Sequence, residues 1–240
     1  MNQTEIEPGL IITNQRCAFI KKQAILVIGD LHVGYESVME DSGFHLPHFQ
    51  TQYMYESLEK LIEIYDPKIF LIVGDVKHEF SKNLSQEWDE VKKLFSIMLE
   101  KGEVIVVRGN HDNYLGNIAS KLNISIVDEY FKDGFYFVHG HNYTKNRPLI
   151  IGHEHPSVRL FDEVGAFIKL PCFLYLKRER ILVIPAFSPL AVGTDITSLR
   201  GMSPLSPILK NESLIDAYVY ACSDIGLLYL GQISKLGKHI

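Results

Sequence analysis

Apolar positions along the chain fall into two patterns. Five short runs are apolar almost throughout: Ala24–Ile28, Ile69–Val73, Val104–Val107, Phe135–Val138 and Leu149–Ile151. They are rich in Val, Ile and Phe and lack strict alternation, so they read as strands covered on both faces. Between them the period changes. Gln52–Tyr65 places Met54, Leu58, Leu61, Ile62 and Tyr65 on one helical face, and Asp66-Pro67 ends it, because proline disfavours helical backbone in the residue before it. Ser85–Lys101 does the same with Trp88, Val91, Leu94, Phe95, Met98 and Leu99. Ser85 is its candidate N-cap and Gly102 the candidate residue just past its end. Aromatic and Met stripes at this spacing are core faces.

The pattern shifts after about residue 165. Ala166–Tyr175 and Arg180–Ile184 read as strands around the charged turn Lys177-Arg178-Glu179, and Ala217–Ala221 and Gly226–Gln232 as a hairpin around Ser223-Asp224. Ser198–Asn211, with Pro204, Pro207 and several serines, reads as an irregular loop. The N-terminal half thus alternates strands and helices, and the rest is mainly strands. Two stacked sheets with helices outside satisfy both halves.

The polar residues carry the chemistry through where they fall. Ala24–Ile28 runs into Gly29-Asp30-Leu31-His32, and Ile69–Val73 into Gly74-Asp75. Val104–Val107 leads to Gly109-Asn110-His111-Asp112, Phe135–Val138 to His139-Gly140-His141, and Leu149–Ile151 to Gly152-His153-Glu154-His155. Open α/β sheets bind ligands at the carboxyl ends of their strands, so these five ends are expected to converge. Adjacent glycines are expected to let the backbone turn sharply there. Asp-x-His and His-x-His put two side chains on one side of an extended segment, which turns Glu154 away from the site. Carboxylate, imidazole and amide oxygen without thiolate suit Mn²⁺ first, with Fe, Zn²⁺, Ni²⁺ or Co²⁺ as alternatives. Asp75, with two oxygens, can bridge two ions about 3.5–4 Å apart. Each motif alone has a plainer explanation: Gly-Asp after a strand is usually a turn, and a single His is usually core. Five in this order, holding six of the ten histidines, are not explained as turns.

Composition sets outer bounds. The 240 residues are 46% hydrophobic and 22% charged, enough to bury roughly 70–75% of the unfolded surface without disulfides. Cys17, Cys172 and Cys222 are odd in number and form no CxxC pair, so buried thiols in a reducing cytoplasm are expected. No apolar stretch approaches the ~18 residues of a membrane span. A formal net charge of -5 argues against broad non-specific nucleic-acid binding, though not against a local basic groove.

With these motifs the chain resembles the calcineurin-like metallophosphoesterase superfamily, whose pattern is Asp-x-His, Gly-Asp, Gly-Asn-His-Asp/Glu, His-Gly and Gly-His-x-His. Here these stand as Asp30/His32, Gly74-Asp75, Gly109–Asp112, His139-Gly140 and Gly152–His155. The resemblance implies a single domain over residues 1–240, an α/β (α+β) four-layer sandwich of two mixed β-sheets flanked by helices. It implies two divalent metal ions, the first on Asp30, His32, Asp75 and His155, the second on Asp75, Asn110, His139 and His153. His111 would contact the scissile phosphate, Asp112 would orient His111, and a metal-bridging water would attack. Asp30–Glu36, Gly74–Glu79 and Gly152–Pro156 narrow the likeness to the branch related to the Mre11/SbcD nucleases and the DNA-ligase-associated phosphoesterases. That branch implies His78 as a substrate-binding residue and a phosphodiester in nucleic acid as substrate; His141, two residues past His139, either contacts substrate or buttresses His139. The short Tyr143–Ile151 segment leaves no room for the nucleases' capping domain. Short or single-stranded nucleic acid is therefore expected, with a protein partner supplying grip and no membrane association. The alternatives are a phosphodiesterase of small molecules such as cyclic nucleotides, and a non-catalytic scaffold of the same fold.

Overall fold

The computed structural model describes residues 2–41, 43, 49–78, 85–191, 193–196 and 203–236. The first sheet holds β1 (Gln3–Glu7), β2 (Leu10–Thr13), β3 (Ala18–Ile20), β4 (Ile25–Ile28), β5 (Ile69–Val73), β6 (Glu103–Val107) and β7 (Ser125–Val127), in that spatial order. Its first four strands pair antiparallel and β4 to β7 run parallel. Helices α1 (Tyr35–Asp41), α2 (Gln50–Tyr65), α3 (Ser85–Leu99) and α4 (Gly116–Lys121) lie between the parallel strands in sequence.

The second sheet holds β8 (Tyr130–Lys132), β9 (Phe135–Val138), β10 (Leu149–Ile151), β11 (Pro156–Phe161), β12 (Phe167–Leu176), β13 (Ile181–Val183), β14 (Thr194–Asp195), β15 (Tyr218–Ser223) and β16 (Gly226–Gln232), before the short helix α5 (Ile233–Leu236). It is also mixed: β9, β10 and β13 run parallel, whereas β12 is antiparallel to β11, β13 and β15.

The absence of alternation in the apolar runs now has its cause. Leu26 and Ile28 of β4, Phe70 and Ile72 of β5, and Val104 and Val106 of β6 pack against Met54, Leu58, Leu61, Val91, Leu94, Phe95 and Met98 of α2 and α3. The intervening Ile25, Val27, Ile69, Leu71, Val73, Ile105 and Val107 pack against Phe137, Ile150, Phe173, Leu182 and Ile184 of the second sheet. A fully buried side chain of this kind contributes about 1.5–3 kcal/mol relative to exposure. A one-residue slip would exchange the two faces, so both cores fix the register. The outer face of the second sheet (Leu149, Ile151, Leu174, Val183, Val219) is covered by Ile208, Leu209 and Leu236. The expected four layers are therefore present, the outermost built from an irregular segment and single helical turns rather than long helices.

Helix α2 begins two residues earlier than its apolar pattern indicated and stops at Asp66 in left-handed backbone (φ 41°). Helix α3 ends at Leu99. Gly102 donates to the Met98 carbonyl, but space is what demands glycine there: a Cβ would lie 2.4 Å from the Lys68 carbonyl oxygen. The Ser85 side chain and residues 198–202 of the expected loop lie outside the described residues. Cys17, Cys172 and Cys222 are buried and free, with thiols pushed well up by burial.

Candidate metal centre

Strands β4, β5 and β6 of one sheet and β9 and β10 of the other bring their carboxyl ends to one edge, where all five motifs lie. Beyond β4 and β5 the ladder continues through the loops: Asp30 N–H donates to Gly74 O (3.0 Å), His32 N–H to Asp75 O (2.9 Å), Val33 N–H to Val76 O (2.9 Å) and His78 N–H to Val33 O (2.9 Å). Gly152 N–H donates to His139 O (3.0 Å), which joins the two loops of the second sheet.

The sharp turns are made by Gly74 (φ 80°) and Gly140 (115°), as expected, and also by the candidate ligands themselves. Asp30 (φ 55°), His32 (45°), Asp75 (47°), His153 (66°) and His155 (44°) are all left-handed. Such backbone costs on the order of 1–3 kcal/mol per non-glycine residue and concentrates at functional sites. At the other motif glycines the contribution is space. At Gly109 a Cβ would lie 2.1 Å from Asp75 Oδ1, and at Gly152 2.6 Å from Asp30 Oδ2. Asp30 and His32 still point to one side while Leu31 is buried in the helix-side core, so the same-side expectation holds although the segment is not extended.

The donor atoms form two groups that share one residue. Asp30, His32, Asp75 and His155 offer atoms within 4.8 Å of one another, and so do Asp75, His139 and His153. In the first group His32 Nε2 and His155 Nε2 are 3.3 Å apart, and His155 Nε2 is 3.2 Å from Asp30 Oδ1. In the second, His139 Nε2 lies 3.3 Å from Asp75 Oδ2, 3.2 Å from His153 Nδ1 and 3.1 Å from Asn110 Oδ1. Asp30, His32, Asp75 and His139 are buried, and Asn110, His153 and His155 partly so.

The electrostatics fit a cation at each group. Burial, then the His155 charge, lowers His32 to about 3; burial, then His139, lowers His153 to about 4. Both rings are therefore neutral and hold ligand lone pairs. Burial opposes charge on His139, yet Asp75 and Asp30 outweigh it and raise the ring to about 9. Burial also disfavours the Asp75 carboxylate, but His139 and His32 hold it well below the usual range. Without an ion, the His139 proton answers the Asp75 charge; an ion there would replace it. His139 Nδ1 donates to the Val73 carbonyl (3.2 Å), which fixes the tautomer and aims Nε2 at the group.

Histidines outside these groups cluster by side. His111 Nδ1 donates to the His78 carbonyl (2.8 Å), and the two rings are stacked at 6.0 Å. Both lie against His32, at 5.4 and 5.3 Å, and Tyr35 covers His78 at 4.2 Å. His141 lies on the other side, 5.3 Å from the His139 ring, and accepts from Asn142 Nδ2. Asp112, expected to orient His111, has a buried carboxylate that takes the Gly109 (2.8 Å), Val76 (2.9 Å) and Lys77 (3.5 Å) amides. Burial, then Asp75, raises Asp112 to about 6.

Several supports carried no sequence signal. Glu36 accepts the Phe49 and Gln50 amides at the start of α2, and Gln50 Nε2 donates to His32 O (2.9 Å) and Ser188 Oγ (2.8 Å). Lys77 and Glu87, both fully buried, pair at 2.7 Å and tie the Asp75 loop to α3. Glu154 turns away from the groups, as expected, and accepts the Leu205 and Ser206 amides. Arg147, a loop cation near the motifs, pairs with Glu212 at 2.9 Å. Only the spacing of Glu36 and Gln50 from the first motif could have flagged them, and spacing alone names no partner.

The family model described as calcineurin-like phosphoesterase matches residues 24–221. A search of curated proteins finds no match. Among solved structures, the crystal structure of Pseudomonas putida nuclease MPE aligns over 95% of this chain and 98% of its own, with a TM-score of 0.69 and 20% identity. The Aquifex aeolicus protein AQ665 aligns over 68% of this chain and 88% of its own, with 19% identity and a TM-score of 0.38, too low to carry an argument.

Proposed function

Since the chain belongs to the calcineurin-like phosphoesterase family, we propose that it is a two-metal phosphodiesterase acting on single-stranded or short nucleic acid. The carrying observation is the pair of donor groups that share Asp75, with the His111 and His78 rings beside them. We assign the first ion to Asp30, His32, Asp75 and His155 and the second to Asp75, Asn110, His139 and His153. The donor chemistry suits Mn²⁺ first. The ions, when bound, supply positive charge that polarises the phosphoryl group and acidifies an attacking water.

The remaining steps belong to the chain. His111, held through Nδ1 by the His78 carbonyl, presents Nε2 toward substrate and donates a proton or hydrogen bond to the leaving oxygen. Asp112 braces the Asn110–His111 turn and the backbone after Asp75. The His78 ring, covered by Tyr35 on backbone that the Val33 carbonyl holds, reaches the flanking part of the diester. His141 contacts substrate on the side of the second ion. The three free thiols fit a reducing cytoplasm, and no helix of the described residues is long and apolar enough to cross a membrane. A protein partner would add nucleic-acid grip that a net charge of -5 does not supply.

The test is hydrolysis by Mn²⁺-loaded protein of single-stranded DNA, RNA, cyclic nucleotides, a chromogenic phosphodiester and its monoester. Diesters should exceed the monoester, and oligonucleotides should exceed cyclic nucleotides. Preference for a cyclic nucleotide would move the reading to a small-molecule phosphodiesterase. Turnover of none would defeat it.

A further inference from the structure

A cavity of about 220 Å³ opens beside the first donor group, lined by His155, Arg16, Lys169, Ser157, Ala186 and Pro189. His155 belongs to both, so the cavity begins where that group ends. Its two cations are held by carbonyls, not by carboxylates. Arg16 Nη1 donates to Ser188 O (2.9 Å), and Lys169 Nζ to Gly193 O (2.5 Å). Among the described residues neither has a carboxylate partner. Arg159, the cross-strand neighbour of Lys169, contrasts with them: it pairs with Asp195 at 3.0 Å.

Arg16 is also placed with care. Its backbone is left-handed (φ 59°), uncommon for a bulky residue, in the turn between β2 and β3 that Thr13 closes. The Ser188 it holds is buried and donates its amide to Asp30 O at 3.3 Å. A guanidinium has five N–H donors in a planar fork, and one carbonyl leaves most of them for a phosphate. Arg16 lines a second cavity as well, of about 260 Å³, with Asn14, Lys60, Phe187 and the exposed Tyr53. The opposite flank, at His139 and His141, differs: Arg108 there is matched by Asp128 at 3.3 Å, and Glu129 adds a further negative charge.

We propose that the Arg16–Lys169 cavity is a phosphate subsite for the non-scissile phosphate next to the bond that is cut. The nucleic-acid strand then leaves the metal centre on the His155 side and passes Arg16 toward Tyr53 and Lys60. The phosphate is recognised by two cations lacking carboxylate partners, and the exposed Tyr53 ring offers a face on which a base can stack. This rests on the phosphodiesterase reading and adds its binding polarity. It also explains how a chain of net charge -5 can hold a polyanion: positive charge is local and one-sided.

The experiment compares a single-stranded oligonucleotide with a dinucleoside monophosphate of the same step, which has no flanking phosphate. Wild type, Arg16→Gln, Lys169→Gln and the remote control Lys68→Gln are all loaded with Mn²⁺, and their metal content is measured. The ratio of kcat/KM for the oligonucleotide to that for the dinucleotide should fall roughly tenfold in each cavity variant and stay put in the control. In parallel, oligonucleotide binding is read by fluorescence anisotropy with Ca²⁺ in place of Mn²⁺. The slope of log affinity against log salt should shrink by about 0.7 for each lost contact. An unchanged ratio and slope in both variants would overturn the subsite. So would equal loss on both substrates with loss of metal, which would make Arg16 a positioning residue for the Asp30 loop through Ser188. If wild type hydrolyses neither substrate, the phosphodiesterase reading fails, and the anisotropy slopes still decide the subsite.

Discussion

The two sheets contribute unequally to the centre. Strand ends of the first supply Asp30, Asp75 and Asn110 together with His32; those of the second supply only imidazoles, His139, His153 and His155. Each donor group draws on both sheets, and the carboxylate they share, Asp75, comes from the first. Negative charge is therefore gathered on one sheet, and neutral or proton-bearing nitrogen is brought to it by the other. The lesson is that the site is a property of the inter-sheet core. Val73 and Val107 pack against Phe137 and Ile150 directly behind the ligands, and a shift of one sheet would open both groups together.

The largest effect should come from Asp75→Ala, which removes the shared member. Hydrolysis should fall by more than the roughly 10²–10⁴-fold typical of a single proton-transfer group, and metal content should drop at both groups. A variant that keeps one full equivalent of ion would break the shared-ligand picture. Next is His111→Ala, which lies beside the groups without belonging to either. It should lose roughly 10²–10⁴ in kcat with metal content intact. Metal loss equal to that of Asn110→Ala would make His111 a ligand.

The asymmetry between the sheets also has a pH signature. In metal-free protein His139 is raised to about 9, so its stabilising proton is fully present below about 6.5 and lost as pH rises through 9. His32 and His153 are lowered to about 3 and 4, so the unfolded chain takes up their protons first and stability falls as pH drops below about 6.5. Denaturation midpoints of chelated protein from pH 5 to 9 should pass through a maximum. Mn²⁺ should remove the alkaline decline, because the ion replaces the His139 proton, and its uptake should release protons. A flat profile would deny the charge pairing across the sheets. The smallest effect expected is His78→Ala: a loss of roughly tenfold on an oligonucleotide and less on a chromogenic diester, since a single hydrogen bond to a charged group is at stake.

Much of this was legible in the sequence because the ligands sit where buried strands end. Runs such as Ile69–Val73 and Val104–Val107 are apolar on both faces, and that same burial makes Asp75 and Asn110 conspicuous just after them. Strands β1, β2, β3, β7, β8, β11 and β14 escaped notice, three of them for the opposite reason. Gln3–Glu7 is polar, Ser125–Val127 and Thr194–Asp195 are very short, and all three exist through pairing rather than pattern. In the site, residue types pointed to the candidate ligands, but backbone conformation did not follow from them: the strain sits on Asp30, His32 and Asp75 rather than on the glycines. Sequence adjacency suggested Asp112 as a partner of His111; it could not show that the fold gives that carboxylate the Val76 and Gly109 amides. Arg16 went unnoticed because it belongs to no motif; only the docking of its turn against Ser188 brings it to the centre.

The central claim is that two ions sit in two groups joined by Asp75. Metal-depleted protein titrated with Mn²⁺, with bound ion counted by elemental analysis after gel filtration, tests it directly. The account predicts saturation at about two ions per chain for wild type. Saturation at one ion, with Asp75→Ala still binding that one, would contradict it.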